Sequence, residues 1–183
     1  HTPFYGLDGQ VVGLIGYGRN ITARKLAKEK ALQHANFDSL TGLSNRSNFI
    51  QRLNHEMRVA KRSGMAVALL LVNLDRFKQI NDLMGHEAGD ALLTQSGQRI
   101  SSSVRETDSV ARLGADEFAI LLPGIEQLGH IGNVARKLIA QLAEPFLLGA
   151  ESSKVTASIG VAVYPVDGHD PDTLLKSAEQ AMY

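Results

Sequence analysis

The sequence predicts an α+β fold in which an antiparallel sheet is packed against helices. From residue 38 onwards, strand-length apolar runs alternate with amphipathic segments of helical length, in the core order β-α-β-β-α-β. The run at residues 65–72 is continuously apolar, which is typical of a central strand buried on both faces. Two other short runs flank Gly114 and Ala115, which predicts a β-hairpin with a two-residue turn and a positive φ at Gly114.

Composition excludes several classes of protein. The 183 residues suffice for one core of ordinary size with a short extra piece. Lys+Arg and Asp+Glu both number 19, so the basic surface of a duplex-binding protein is missing and we expect no nucleic-acid partner. The absence of cysteine excludes disulfides and thiolate metal sites.

The expected cellular location follows from hydropathy. The longest apolar run is far too short to span a bilayer, and the chain begins at His1 without a signal-peptide pattern. We therefore expect a fragment of a longer cytoplasmic protein, or of the cytosolic part of a membrane-anchored one, without direct membrane contact in this fragment.

The N-terminal segment is too small to be a domain. A turn pattern at residues 7–10 precedes a predicted strand at residues 11–17, and a helical pattern with alanines at i+4 begins at Thr22. The basic residues of that helix suit a solvated face or, alternatively, a helix that pairs two subunits. The predicted division is residues 1–20 as the end of another domain, residues 21–37 as a linker helix and residues 38–183 as the main domain.

Periodicity and breakers place the elements of the main domain. Pro171 suits a helix start, whereas Pro123 and Gly124 are expected to end the hairpin. The predicted helices are residues 48–62, 76–84, 85–103, 127–142 and 172–183, and the predicted strands are residues 65–72, 108–113, 116–122 and 155–163.

This order of elements is that of the ferredoxin-like or palm arrangement, with helices expected on one face of the sheet. In it, the end of the first strand near Asn73 approaches the hairpin tip at Asp116 and Glu117. Nucleotide polymerases hold Mg²⁺ there with two carboxylates, a fold-level analogy. An isolated Asp-Glu pair is otherwise most often a solvated turn.

Several motifs then occur in a fixed order. They read DSLTGLSNR at residues 38–46, NLDRFKQIND at 73–82, GHEAGD at 85–90 and RLGADEF at 112–118. Together with residues 158–162 and 178–183, they resemble the GGDEF domain of diguanylate cyclases over residues 36–183. Residues 11–22 look like the last strand and exit of a PAS sensor domain, although Asn20 stands where that family more often has Asp.

The resemblance implies binding of GTP between the end of the first strand and the hairpin. Two such domains meet and make cyclic di-GMP from two GTP, so it implies a homodimer and Mg²⁺ as cofactor. It also implies a multidomain parent with a PAS domain and, following the pattern of degenerate family members, a downstream EAL phosphodiesterase domain.

Site residues are implied by position in these motifs. Asn81 and Asp90 would bind the guanine edge, although alone they suit a helix cap and a helix-dipole partner. Lys78 would lie near the phosphates and the backbone at Phe77 would cradle them. Nucleotide contact is also implied for the turn residues Gly114 and Ala115, metal binding for Asp116, Asn73 and Asp75, and support of the 3′-hydroxyl chemistry for Glu117.

Two departures from the family pattern predict weak catalysis. Asn73 stands where the family has its first metal-binding Asp, and it offers Mg²⁺ a carbonyl oxygen without charge. Ala115 replaces the second glycine of the motif, where a methyl group would protrude toward a nucleotide or strain a turn with positive φ. The family's phosphate-binding Lys and Arg follow the Ala-Met-Tyr segment, and this sequence ends before them.

An inhibitory product site is also implied. Arg105 and Asp108 form an R-x-x-D at the family's usual distance from Gly114, and Arg136 falls where a second arginine crosses from a neighbouring domain. Arginine can grip a phosphate or a guanine edge with two hydrogen bonds. Taken alone, R-x-x-D is more simply a surface salt bridge.

Three functions therefore remain open. The first is a catalytically impaired GGDEF domain that binds cyclic di-GMP or GTP as a regulatory module. The second is an active diguanylate cyclase, and the third is a dimerisation scaffold without a ligand.

Overall fold

The computed structural model describes residues 2–15 and 35–182. The chain divides into two compact units. In the first, β1 (Thr2–Tyr5) and β2 (Val11–Ile15) form an antiparallel hairpin, and Gly9 in its turn has a φ of 73°. The strand predicted from residue 11 is present, but its partner β1 was not predicted. Most of the predicted linker helix at residues 21–37 lies outside the described residues.

The second unit contains the predicted core elements with shifts of a few residues at their ends. No helix among the described residues is both long and apolar enough to cross a membrane. The helices of the second unit are α1 (Arg46–Ser63), α2 (Phe77–Met84), α3 (His86–Ser103), α4 (Gly129–Ala143) and α5 (Pro171–Met182). Its strands are β3 (Ala66–Leu74), β4 (Ser109–Arg112), β5 (Glu117–Ile125), β6 (Phe146–Leu148), β7 (Glu151–Ser153) and β8 (Ala157–Tyr164).

Four strands of the second unit form one antiparallel sheet in the order β4-β5-β3-β8. This is the ferredoxin-like order expected from the sequence. The central strand β3 is buried along nearly its whole length, because it pairs on both sides and both of its faces are covered. The prediction of a doubly buried strand at residues 65–72 is confirmed.

Helices cover both faces of this sheet, so the prediction that they lie on one face is wrong. Strand side chains alternate between faces, and Leu70 and Val72 of β3 pack in a different cluster from Leu69 and Leu71. The first cluster includes residues of α3 and α4, the helices inside the β-α-β-β-α-β repeat. The second includes α1 and α5, which flank that repeat and bring their own apolar stripes.

Strand β5 continues through the expected breaker to Ile125. The register to β3 shifts at this point, from Ala68 opposite Leu122 to Ala66 opposite Ile125. This bulge accommodates Pro123 and Gly124 without ending the strand. The short hairpin of β6 and β7 was not predicted.

The β4–β5 connection also differs from the two-residue turn expected. Arg112 is the last residue of β4 and Glu117 the first of β5, so four residues separate the strands. Gly114 is absent from the glycines with positive φ, and neither it nor Ala115 takes the left-handed conformation. The loop is closed instead by hydrogen bonds from Leu113 N to Glu117 O (2.9 Å) and from Arg112 Nη2 to Ala115 O (2.8 Å).

Candidate nucleotide site

A row of three polar residues crosses the end of the sheet. Asn73 of β3 lies opposite Glu117 of β5 on one side and Ser158 of β8 on the other. Leu74 N donates to Asp116 O at 3.1 Å, which holds the hairpin tip against the end of β3. By strand alternation, all three row residues face the side of the sheet that α1 and α5 cover. The approach of Asn73 to the acidic pair is therefore as expected.

Asp75 joins the end of β3 to β8. Its Oδ2 accepts from Thr156 Oγ1 (2.5 Å), its Oδ1 from Ser158 Oγ (2.8 Å), and its amide donates to Thr156 O (2.9 Å). Both carboxylate oxygens of Asp75 therefore accept a hydrogen bond from a hydroxyl group. This strand-tying role was not predicted from the sequence, which suggested a metal ligand here.

Burial raises the pKa of the Glu117 carboxyl above its ordinary value of 4.5. The positive charge of Arg46 acts in the opposite direction, and the negative charges of Glu179 and Asp116 add to the rise. Arg46 begins α1 and Glu179 lies in α5, so both flanking helices contribute charges near the row. Neither residue was predicted to act at the site, although Arg46 is the last residue of the motif at residues 38–46.

The chain turns sharply between β3 and α2. Arg76 caps α2 with φ 60° and is the one non-glycine residue with positive φ in the described part of the chain. Such a conformation is costly and concentrates at functional sites. No side chain caps the start of α2, although Gln79 N donates to Arg76 O at 2.9 Å. Free amides at a helix start attract anions. Lys78 is exposed in the same turn, and phosphate binding by this turn stays a prediction.

A groove of about 810 Å³ lies beside this turn. It includes Asn73, Asp75 and Arg76 from the predicted motif, but among its lining residues are neither Lys78 and Asn81 nor the two acids of the hairpin. Lys154, just before β8, adds a second cation that the sequence interpretation did not find. The other lining residues are Gln79, Ile80, Leu83, Val155 and Thr156.

The residues expected to read guanine lie where α2 meets α3. Asn81 is half-buried on α2, and its backbone carbonyl oxygen accepts from Gly85 N at 3.0 Å, where that helix ends. Asp90 is exposed in the second turn of α3. Phe77 and Asn81 both approach Gly89, the residue before Asp90. The predicted base-binding residues are therefore neighbours around one helix pair.

The hairpin is anchored to the loop before α1. Arg112 Nη1 contacts Asp38 Oδ1 and Oδ2 at 3.2 and 3.3 Å, and Arg112 N donates to Ser44 O at 2.9 Å. Burial acts to raise the pKa of Asp38, but hydrogen bonds from Thr41 and the charge of Arg112 outweigh it and lower that pKa. Asp38 and Arg112 lie in two of the sequence motifs, but the contact between these motifs was not predicted.

The expected inhibitory residues lie at the far end of β5. Arg105 N donates to Asp108 Oδ2 (2.8 Å) and Asp108 N to Arg105 O (3.0 Å), so the R-x-x-D forms a closed turn. Both line a cavity of about 370 Å³ that His130 also lines. Arg136 is not among the residues of this cavity, and its guanidinium donates to Asn133 Oδ1.

The fold and the motif geometry identify the class of protein. Residues 35–183 match the family model described as "Diguanylate cyclase, GGDEF domain", and the chain belongs to this family. It is 41% identical over 163 residues to the diguanylate cyclase TpbB of Pseudomonas aeruginosa, which covers 88% of this chain and 38% of TpbB. It is 37% identical over 162 residues to MucR of the same species, a bifunctional diguanylate cyclase/cyclic di-GMP phosphodiesterase, with 88% of this chain and 24% of MucR covered.

A solved structure shows the same architecture. The GGDEF domain of PA1120 (TpbB or YfiN) from Pseudomonas aeruginosa superimposes with a TM-score of 0.78 at 40% identity, covering 80% of this chain and 86% of that one. The chain spans less than two fifths of the length of the two curated relatives. Both the family and the fold expected from the sequence are thus confirmed.

Proposed function

We propose that this GGDEF domain is a catalytically impaired, nucleotide-binding module that regulates a multidomain protein of cyclic di-GMP signalling. The observation that carries the proposal is the placement of Asn73 directly opposite Glu117. A neutral amide occupies the position at which the family pattern calls for a metal-binding carboxylate. Its neighbour on the other side, Ser158, adds no charge either.

The donor atoms suit Mg²⁺ in type but not in charge. Asp116 and the amide oxygen of Asn73 offer the hard oxygens that Mg²⁺ takes, while the oxygens of Asp75 already accept from two hydroxyl groups. In the described part of the chain, no three His, Asp or Glu side chains are grouped as a metal site. We infer that Mg²⁺, if bound, is held by Asp116 and Asn73, where it would neutralise the phosphate charge of a bound nucleotide.

The second part of the proposal is binding of cyclic di-GMP at Arg105 and Asp108. The guanidinium of Arg105 is exposed, and its turn lines a cavity within the size range of small-ligand pockets. Arg136 lies outside this cavity, so it would contribute to the site from a second copy of the domain. The names of TpbB and MucR, which refer to cyclic di-GMP synthesis and breakdown, support this ligand class.

The surrounding protein is part of the same proposal. The β1–β2 hairpin fits the end of a PAS-like sensor domain. The linker helix at residues 21–37 is proposed from the sequence pattern alone, and residues 38–183 form the proposed GGDEF domain. A homodimer and a downstream EAL domain in a cytoplasmic output region complete the expected arrangement.

An active diguanylate cyclase is the alternative, and the hairpin loop favours it. Ala115 has no left-handed φ, so the alanine causes no backbone strain. Asp116 and Glu117 both remain at the tip beside β3. Only the lost charge at Asn73 and the extra methyl group then oppose catalysis.

Turnover of GTP by the full-length protein tests these alternatives. We expect little cyclic di-GMP from the wild type with Mg²⁺, and a gain of about a hundredfold or more in Asn73→Asp/Ala115→Gly, because a charged ligand strengthens metal binding. Product formation by the wild type that Glu117→Ala abolishes would establish an active cyclase instead.

Binding of cyclic di-GMP is measured on the same samples. Arg105→Ala should abolish binding, whereas Arg58→Ala, which removes an exposed arginine of α1, should leave it unchanged. Failure of the wild type to bind either nucleotide would favour the scaffold function.

A further inference from the structure

A cavity of about 430 Å³ lies between α1 and the start of α5, and none of the predicted site residues lines it. Asn54, Met57, Arg58 and Lys61 line it from α1, at the spacing of a single helix face. Met57 is buried, whereas Arg58 and Lys61 are exposed. The cavity therefore combines an apolar wall with two cations, and its volume is in the range of small-ligand pockets.

A tyrosine hydroxyl group faces this cavity. Tyr164, the last residue of β8, lines the cavity and is 8% exposed. In the described part of the chain its hydroxyl group has no hydrogen-bond partner, yet it is not among the polar atoms that are sealed from solvent. Buried tyrosine hydroxyl groups usually have a partner. The hydroxyl group of Tyr164 is thus directed into the cavity, where it can donate to a ligand.

The wall opposite α1 is a loop that packs closely on α5. Leu174 N donates to Asp170 O at 3.0 Å. A β-carbon added to Gly168 would lie 2.8 Å from Leu174 N, so the backbone of the loop and the backbone of the helix are in contact. His169 and Asp170, which both line the cavity, are therefore carried by a well-supported backbone.

The charged groups of the cavity favour an anion. Among its described lining residues, Asp170 is the one carboxylate, and Thr173 already donates to both of its oxygens, from the amide at 2.9 Å and from the hydroxyl group at 2.6 Å. Arg58 and Lys61 each carry a positive charge, and the imidazole of His169 can donate an N–H even when it is neutral. The lining is thus positive overall and rich in hydrogen-bond donors.

We propose that this cavity binds a small phosphate monoester, whose oxygens accept hydrogen bonds from Tyr164, Lys61 and Arg58. A phosphate monoester carries close to two negative charges at neutral pH and three strong acceptor oxygens. Two cations and one phenol match both properties, and arginine can bind two phosphate oxygens at once. The apolar surfaces of Met57 and Pro171 suit a short apolar or aromatic body of the ligand.

This phosphate site is separate from the proposed nucleotide sites. The groove beside Asp75 and the cavity at Arg105 share no lining residue with it, and no residue of α1 lines either of them. Arg58→Ala consequently removes a cation of the phosphate site and none from the cavity at Arg105. Binding of cyclic di-GMP and binding of the phosphate monoester should therefore be lost through different substitutions.

The test is equilibrium binding of phenyl phosphate to the full-length protein, measured by isothermal titration calorimetry in a phosphate-free buffer. The wild type should bind phenyl phosphate more tightly than inorganic phosphate, because the ring contacts the apolar wall. It should bind benzoate more weakly than phenyl phosphate, since a carboxylate has one charge and two oxygens.

Two substitutions examine the proposed contacts. Tyr164→Phe keeps the buried ring and removes the hydroxyl group, so it should weaken phenyl phosphate about tenfold, the value of one hydrogen bond to a charged group. Lys61→Gln removes one positive charge and should weaken binding by a similar factor. Neither substitution should change the affinity for cyclic di-GMP.

Tyr5→Phe and Arg62→Gln are the matched controls. Tyr5 is exposed in β1, and Arg62 is exposed in the last turn of α1 without lining the cavity. Both variants should bind phenyl phosphate like the wild type. Saturating cyclic di-GMP or the magnesium complex of GTP should not displace phenyl phosphate, because these nucleotides are assigned to other cavities.

Three results would overturn the inference: no binding of millimolar phenyl phosphate by the wild type, displacement by either nucleotide, or wild-type affinity in both Tyr164→Phe and Lys61→Gln. If Tyr164→Phe does not fold, Lys61→Gln decides, because Lys61 is exposed and its replacement leaves the core intact. A phosphotyrosine peptide that binds at least tenfold more tightly than phenyl phosphate would assign the cavity to a protein partner and refute the small-molecule ligand.

Discussion

Nη1 of Arg112 contacts both carboxylate oxygens of Asp38, 74 positions away in the sequence, while Nη2 donates to the carbonyl oxygen of Ala115. Both side chains are largely buried, at 14% and 23% exposed. The loop before α1 is thereby connected to the hairpin tip through one side chain. The shape of the acidic hairpin thus depends on a residue that precedes the whole sheet.

Asp38→Asn should destabilise the domain by about 2 kcal/mol, because it leaves the buried charge of Arg112 without its partner. An asparagine retains an acceptor for Thr41, so the loss reports mainly on the ion pair. Urea unfolding measures it, with the exposed Glu151→Gln as control. Because the pKa of Asp38 is lowered in the fold, its stabilisation is present above the ordinary value of 3.8 and is lost below it. Equal costs at pH 7 and pH 3 would contradict this assignment.

Glu117→Gln should stabilise the metal-free domain at neutral pH. Since burial raises the pKa of Glu117, the folded state favours its protonated form, and ionisation costs stability as the pH rises through the folded pKa. That cost disappears below the ordinary value of 4.5. Thermal unfolding in EDTA should show a higher Tm for the variant at pH 7.5 and no difference near pH 4. A lower Tm at pH 7.5 would show that Arg46 compensates for the burial.

Gly160→Ala should destabilise the domain by about 3 kcal/mol or prevent folding. A β-carbon at Gly160 would overlap Ala178 O and lie 2.8 Å from Met182 N, so α5 would have to move off the sheet. Gly132→Ala on α4 is the matched control, since its β-carbon meets no atom closer than 3.7 Å. Circular dichroism during chemical denaturation distinguishes the two, and a neutral Gly160→Ala would contradict the packing of α5.

Ser158→Ala should cost about 1 kcal/mol, the value of one hydrogen bond to the Asp75 carboxylate. In an Asp75→Asn background the cost should shrink, because the charged acceptor is gone. A double-mutant cycle by urea denaturation measures this coupling. A zero coupling energy would mean that Ser158 does not hold the Asp75 carboxylate.

Local pattern was enough to predict most elements, and their β-α-β-β-α-β order was enough to predict that Asn73 meets the acidic pair. Periodicity could not assign α1 and α5 to a face, because an apolar stripe shows that a helix packs but not on which side of a sheet. The turn at Gly114 was mispredicted because its shape depends on Arg112, which closes the loop through Ala115 and is itself held by Asp38. The predicted roles of Arg105, Asp108 and Lys78 remain predictions.

Because Glu117 lies opposite Asn73 in the sheet, the neighbouring acids Asp116 and Glu117 are held in different ways. Glu117 is held by pairing with β3, whereas Asp116 belongs to the loop, where its carbonyl oxygen accepts from Leu74 N. The order of the two acids therefore matters. If β5 moved by one residue relative to β3, the Glu117 side chain would point to the opposite face of the sheet and a neighbouring residue would lie opposite Asn73. A homologue with Glu before Asp at these two positions would therefore have the same composition, but an aspartate would lie opposite Asn73.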